Sequence, residues 1–172
     1  SGGRTYDGHP IGVLDEEELD RVIEEIRRRD LRLVAVSSVF SPSDPAQEQH
    51  IARRVRAAIP QVQVTESHTI GGMGLLEREN AAILNTSLQP LAERVVVAFR
   101  QALEERRLHC PFFISQNDGT LMTAAFARRF PALTFASGPT NSLRGASLLT
   151  RRDDAVVVDI GGTTSDIGVL QG

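Results

Sequence analysis

A chain of 172 residues with 41% hydrophobic and 24% charged side chains can bury one sizeable core, as a single domain or as part of a larger protein. A net charge of -3 and a pI near 5.8 lack the basic excess that nucleic-acid phosphates demand, so a nucleic-acid face is not expected. No apolar run approaches the roughly 20 residues of a membrane span, the opening "SGGRTYDGHP" has no apolar signal core, and the lone Cys110 excludes an internal disulfide, which fits a cytoplasmic chain. All 19 basic residues are arginine. Without lysine there is no Walker A lysine and no lysine Schiff base. Any phosphate chemistry must therefore use backbone N–H groups, hydroxyls, arginine or a metal.

In chain order, residues 15–29 predict a helix, with Leu19, Val22, Ile23 and Ile26 on one face and acids in its first turn. "LRLVAVSSVF" (31–40) reads as a buried strand. "SPSDP" breaks the chain before a second helix over about 46–58, which Pro60 ends, and "VQVTES" alternates as a short strand. The glycines of "HTIGGMG" predict a loop, followed by a helix over 76–88 and, begun by Pro90, another to about Arg107. "PFFISQNDGTL" reads as strand and turn (117–119), then a helix to about Arg129. "ALTFASGPTNSLRGASLLT" reads as strand, Gly-Pro turn and small-residue helix. The alternation predicts a single α/β region over 1–172, built on a mixed, largely parallel sheet with flanking helices.

The last segment, "DAVVVDIGGTTSDIGVLQG", differs. Two apolar strands joined across eight residues form a β-hairpin, since a parallel crossover needs more chain. Gly161 and Gly162 accept positive φ, and their bare backbone lets N–H groups approach an anion. Thr163, Thr164 and Ser165 add hydroxyl donors. Asp159 and Asp166 would repel a bare phosphate, but they fit if Mg²⁺ sits between them and the phosphate oxygens. A Rossmann loop would need a helix after its glycines, and "DIGVL" is strand. The competing reading is a plain Gly-Thr hairpin whose turn Asp159 bonds.

"VVVDIGGTTSDIGVL" resembles the second phosphate motif of the actin-like ATPase superfamily, and within it the hydantoinase A/5-oxoprolinase family. Three stretches agree in the same order. "AVSSVFSPSDPAQEQHIARRV" resembles the family's strand, turn and Glu-containing helix. "ESHTIGGMGLLERENAAILN" resembles its Ser-His segment with Glu, Arg and an Ala/Asn-rich helix. "FFISQNDGTLMTAAFARRFPALTFASGPTNSLRGA" resembles its Ser-Asp-Gly-Gly loop and Ser-Gly-Pro-Ala-Gly turn. This chain departs at Gly119-Thr120 and at Thr140-Asn141, beside the position of the nucleotide. The family's first phosphate hairpin has no match in residues 1–30. The expectation is an internal fragment of a larger hydantoinase/oxoprolinase-like protein, carrying the second phosphate motif at 155–170 and inactive alone.

The resemblance implies an actin-like/ribonuclease H-like ATPase fold and an ATP-dependent hydrolase that opens a cyclic amide of the hydantoin or 5-oxoproline type. ATP and Mg²⁺ are the implied cofactors and a B-type hydantoinase subunit the implied partner, with neither nucleic acid nor membrane. Asp159 and Asp166 would organise metal and water; Gly161, Gly162, Thr163, Thr164 and Ser165 would hold phosphates, with Asp118, Gly119 and Gly138 beside the nucleotide. A non-catalytic ATP-binding module and a kinase of the same superfamily are the alternatives. His68, near Glu66, Glu77 and Arg78, reads either as a substrate or metal contact or as a loop histidine capping its turn. Cys110 reads as a buried or inert thiol.

Overall fold

The computed structural model describes residues 2–172. They form two compact units, one up to Pro90 and the other from Leu91 on. The α/β class holds, but the strands form three two-stranded sheets instead of one mixed, largely parallel sheet. One pair is parallel and two are antiparallel.

In the first unit, α1 (Glu16–Arg28) is capped by Asp15, whose side chain accepts the Glu18 N–H at 2.9 Å. Glu16, Glu17 and Glu18 face the positive end of the helix dipole, and Arg27 and Arg28 the negative end. β1 (Leu33–Val36) lies parallel to β2 (Gln63–Glu66), with Leu33 opposite Gln63 and Val36 opposite Glu66. A parallel pair needs a crossover, and α2 (Ala46–Ala58) supplies it. Leu19, Ile23 and Ile26 of α1 meet Val55, Ile59 and Val62 in the core. β1 stops at Val36, short of the predicted 31–40, because the next residues enter a turn and Phe40 adopts φ 52°.

Beyond the carboxyl ends of β1 and β2 lies a buried polar network. Glu48 of α2 is 0% exposed and accepts four hydrogen bonds. Oε1 takes the Ser38 N–H (2.8 Å) and the Ser67 hydroxyl (2.6 Å); Oε2 takes the His68 N–H (3.0 Å) and pairs with His68 Nδ1 (2.8 Å). Arg78, 1% exposed, donates Nε to Ser67 Oγ at 2.8 Å, Nη1 to the carbonyls of Gly72 and Met73 at 2.9 and 3.1 Å, and Nη2 to the carbonyl of Ser38. Burial pushes the Glu48 carboxyl up, but hydrogen bonds from Ser67, the His68 N–H, Ser41 and the His68 ring outweigh it and hold the group below the ordinary glutamate value. The 67–74 segment is thus clamped, though its glycines predicted only a loop.

α3 (Leu75–Glu105) is one helix, not two: Pro90 lies inside it. A proline there forfeits one backbone hydrogen bond. Buried Ala82 and Val96 lie on either side, and packing carries the helix through the break.

In the second unit, β3 (Phe113–Ser115) and β4 (Leu121–Thr123) form an antiparallel pair around the 116–120 turn. Thr123 caps the short α4 (Ala124–Arg129), its Oγ1 accepting the Phe126 N–H at 3.2 Å. The predicted strand in "ALTFA" is instead a 3-10 turn, Pro131–Thr134, in which Thr134 Oγ1 donates to the Pro131 carbonyl at 2.7 Å. Short apolar runs do not distinguish these outcomes. α5 (Ser137–Thr150) absorbs the predicted Gly-Pro turn into its first residues. Cys110 is exposed, not buried, because β3 begins three residues later. β5 (Ala155–Ile160) and β6 (Ser165–Leu170) form the expected hairpin. Its outer face, with Val156, Val158, Ile160, Ile167 and Val169, is exposed. Among the described residues no helix is long and apolar enough to cross a membrane.

The network predicts a pH signature. Because the folded Glu48 carboxyl lies below its ordinary value of 4.5, its contribution to stability is complete above about pH 4.5 and is lost as pH falls through the folded value. Glu48→Ala, which leaves the buried Ser67 hydroxyl and the Ser38 and His68 N–H groups without their acceptor, should cost at least about 1–3 kcal/mol at neutral pH. Glu48→Gln should flatten the acid side of the stability curve. Urea melts between pH 3 and pH 7 measure both, and an unchanged acid limb in Glu48→Gln would contradict the assignment.

Candidate functional site

The antiparallel register puts Asp159 directly opposite Asp166, one pair before the tip. Residues opposite one another share a sheet face, so both carboxylates project from the same side of the hairpin. The half-buried positions of β5, Ala155, Val157 and Asp159, identify that side as the one α5 covers. There Ser142 Oγ of α5 donates to Asp159 Oδ2 at 2.5 Å. Gly168 lets the helix close down: a Cβ there would lie 2.6 Å from Leu143 Cδ2.

Unlike charges would stabilise such an opposed pair, and like charges destabilise it. One cation between the two aspartates would resolve the conflict. Among the described residues no group of three or more His, Cys, Asp or Glu side chains gathers to hold a metal. A hard cation here would draw its other ligands from water and phosphate oxygens, the usual habit of Mg²⁺. The donor set fits Mg²⁺ on those terms.

The tip corrects one expectation. Neither Gly161 nor Gly162 adopts positive φ. Four residues, 161–164, link the strands, and a loop of that length does not need the mirror-image turns of a two-residue hairpin. Gly161 N–H donates to the Thr164 carbonyl at 2.9 Å and so closes the turn instead of facing outward. A Cβ on Gly162 would meet nothing within 4 Å. Gly162, Thr163, Thr164 and Ser165 are all exposed.

The first turns of α5 also hold the 116–120 turn. Thr140 Oγ1 donates to the Asn117 carbonyl at 2.7 Å, and Asn141 Nδ2 to Ser115 Oγ at 2.9 Å. Asp118 accepts the Thr120 N–H at 2.8 Å and the Thr120 hydroxyl at 2.7 Å. These bonds, with a smaller pull from the Arg144 charge, hold its carboxyl below the usual aspartate value. Gly119 needs its freedom: φ is +80°, and a Cβ would lie 2.6 Å from Arg144 Nε. Gly138, in the first turn of α5, is exposed with no atom within 4 Å of an added Cβ.

One helix therefore touches both stretches singled out in the sequence, the hairpin through Ser142 and the Asp118-Gly119 turn through Thr140 and Arg144. These α5 side chains were missed as site residues. Their signal was the polar run Thr140-Asn141-Ser142 inside a helix otherwise read as merely small.

The sequence model of the hydantoinase/oxoprolinase family matches residues 78–172, and that of its N-terminal region matches residues 1–59. The chain is 28% identical to the caprolactamase subunit alpha of Pseudomonas jessenii, over 99% of this chain and 25% of that protein. It is 26% identical to the acetophenone carboxylase gamma subunit of Aromatoleum aromaticum, over 95% of this chain and 23% of that one. In fold it matches the crystal structure of the ATP-dependent caprolactamase from Pseudomonas jessenii with a TM-score of 0.82 at 24% identity, covering 98% of this chain and 25% of that chain. The nucleotide-free structure of an acetone carboxylase matches with a TM-score of 0.80 at 19% identity, covering 99% of this chain and 25% of that one. The chain thus spans about a quarter of the length of these relatives. Matched by the family's models over most of its length, it belongs to the hydantoinase/oxoprolinase family.

Proposed function

We propose that this chain is the metal–phosphate part of a longer ATP-dependent amidohydrolase that opens a cyclic amide of the hydantoin or 5-oxoproline type. The observation that carries the reading is the opposed pair Asp159 and Asp166 at the base of an exposed Gly-Gly-Thr-Thr tip. Membership of a family with an ATP-dependent caprolactamase among the structural relatives supports ATP as the nucleotide. Two relatives are named as subunits, alpha and gamma, which supports a partner subunit of the B type for the whole protein.

When bound, Mg²⁺-ATP supplies the phosphoryl group that activates the amide oxygen and opens the carbonyl carbon to water. Asp159 and Asp166 would hold the cation, directly or through water, and Ser142 fixes the Asp159 carboxylate by its Oδ2 hydrogen bond. The hydroxyls of Thr163, Thr164 and Ser165 and the N–H of Gly162 would bind phosphate oxygens, while Gly161 holds the turn closed. Asp118, Gly119 and Gly138 would border the nucleotide, the first two on the turn that Thr140 and Arg144 of α5 hold.

Two results are expected in the longer protein that carries this chain. Asp159→Asn and Asp166→Asn should each lower ATP turnover by about 100-fold or more, a loss of about 2.7 kcal/mol of transition-state stabilisation, with the melting temperature nearly unchanged. Steady-state turnover and melts of each variant decide this, and near-wild-type turnover in either would remove that residue from the metal site. Gly162→Ala separates a phosphate loop from a plain hairpin, because its Cβ meets no protein atom. It should leave stability unaltered yet weaken Mg²⁺-ATP binding in calorimetric titration. Wild-type affinity in Gly162→Ala would favour the plain hairpin.

A further inference from the structure

The second unit holds a cavity that the hairpin reading does not use. It measures about 570 Å³, inside the range of about 300–1,000 Å³ in which proteins take up small molecules. The end of α3 builds its wall. Arg107 adopts φ 56°, its N–H donates to the Glu104 carbonyl at 2.9 Å, and the Leu108 N–H donates to the Leu103 carbonyl at 2.9 Å. These bonds make a Schellman end, which reverses the chain. Phe112, on the returning segment, stacks on Phe99 of α3 with ring centroids 5.7 Å apart, so the aromatic part of the wall is held in place.

Leu103, Leu108, Phe112 and Phe113 give the cavity an apolar surface, of which Leu108 and Phe113 are each 53% exposed. Arg100 and Glu104 add opposite charges one helical turn apart on α3. At the end of α1, Arg28 and Arg29 both pair with Glu25, and there the acid precedes the arginine, the favourable order along a helix. Arg100 precedes Glu104, the weaker order. Among the described residues neither of these two side chains makes an ion pair or a hydrogen bond. The cavity thus presents an unpaired cation and an unpaired anion beside an aromatic wall.

We propose that this cavity binds a free α-amino acid with an apolar or aromatic side chain. The carboxylate meets the Arg100 guanidinium, the ammonium meets Glu104, and the side chain lies against Leu103 and Phe112. An α-amino acid carries both charges on one carbon, which matches a cation and an anion one turn apart. A plain carboxylate would face Glu104 uncompensated, and a neutral ring would use neither charge. His109, Cys110 and Thr123 are the other polar groups of the lining. The whole lining belongs to the second unit, and the proposal does not depend on the function proposed above.

Calorimetric titration of the longer protein with phenylalanine, 3-phenylpropionate and phenethylamine tests this. Phenylalanine should bind with a Kd below about 1 mM, and each analogue, which lacks one of the two charges, about tenfold more weakly or worse. Arg100 and Glu104 are exposed, so Arg100→Gln and Glu104→Gln should each keep the melting temperature within about 2 °C of wild type. Each should weaken phenylalanine binding about tenfold or more. Binding of 3-phenylpropionate should fall in Arg100→Gln and hold or improve in Glu104→Gln. No saturable binding of phenylalanine up to about 10 mM would overturn the proposal. So would unchanged phenylalanine affinity in either variant, or 3-phenylpropionate binding as tightly as phenylalanine.

Discussion

The register of one hairpin decides which acids of this chain stand together. Pairing Ile160 with Ser165 puts Asp159 opposite Asp166, and two like charges then share one sheet face next to the tip. A slip of one residue would move either acid to the opposite face and separate the pair. α5 guards that register, since Leu143 packs on bare Gly168 and Ser142 bonds Asp159. The same helix reaches the Asp118-Gly119 turn, so a single element positions both stretches of the second unit that the sequence marked for a nucleotide.

The first unit follows another logic. A buried carboxylate is expensive unless its lone pairs are filled, and Glu48 fills them with four hydrogen bonds from two segments, Ser38 after β1 and Ser67-His68 after β2. Its helix, the end of β1, the turn after β2 and the start of α3 are all tied to it directly or through Ser67 and Arg78. This is why the glycine-rich stretch 70–74 is ordered: Arg78 binds the carbonyls of Gly72 and Met73. Gly71 lies against the same arginine, where a Cβ would be 2.8 Å from Arg78 Cγ.

Legibility from sequence tracked how local each determinant was. α1 and α2 carry their signals within a turn or two, in Asp15 as cap and in helical apolar spacing, and both were legible. The closing hairpin was legible because its strands and connection are contiguous. What was not legible depended on distant partners. Pro90 reads as a helix start until packing on both sides of it is known, and "ALTFA" reads as a strand until its neighbours form a 3-10 turn. The φ angles of Gly161 and Gly162 depended on the length of the turn, not on glycine itself. Ser142 and Glu48 act across 17 and 20 residues of sequence, and no local pattern announces either contact.

The central claim is that a divalent cation bridges the hairpin acids to nucleotide phosphates. The most direct measurement is paramagnetic broadening of backbone NMR signals in the longer protein on adding Mn²⁺ with ADP. The account predicts broadening centred on Asp159, Asp166 and the 161–165 tip, reversed by excess Mg²⁺ and lost in the Asp159→Asn, Asp166→Asn double variant. Broadening centred elsewhere, or unchanged in that double variant, would contradict it.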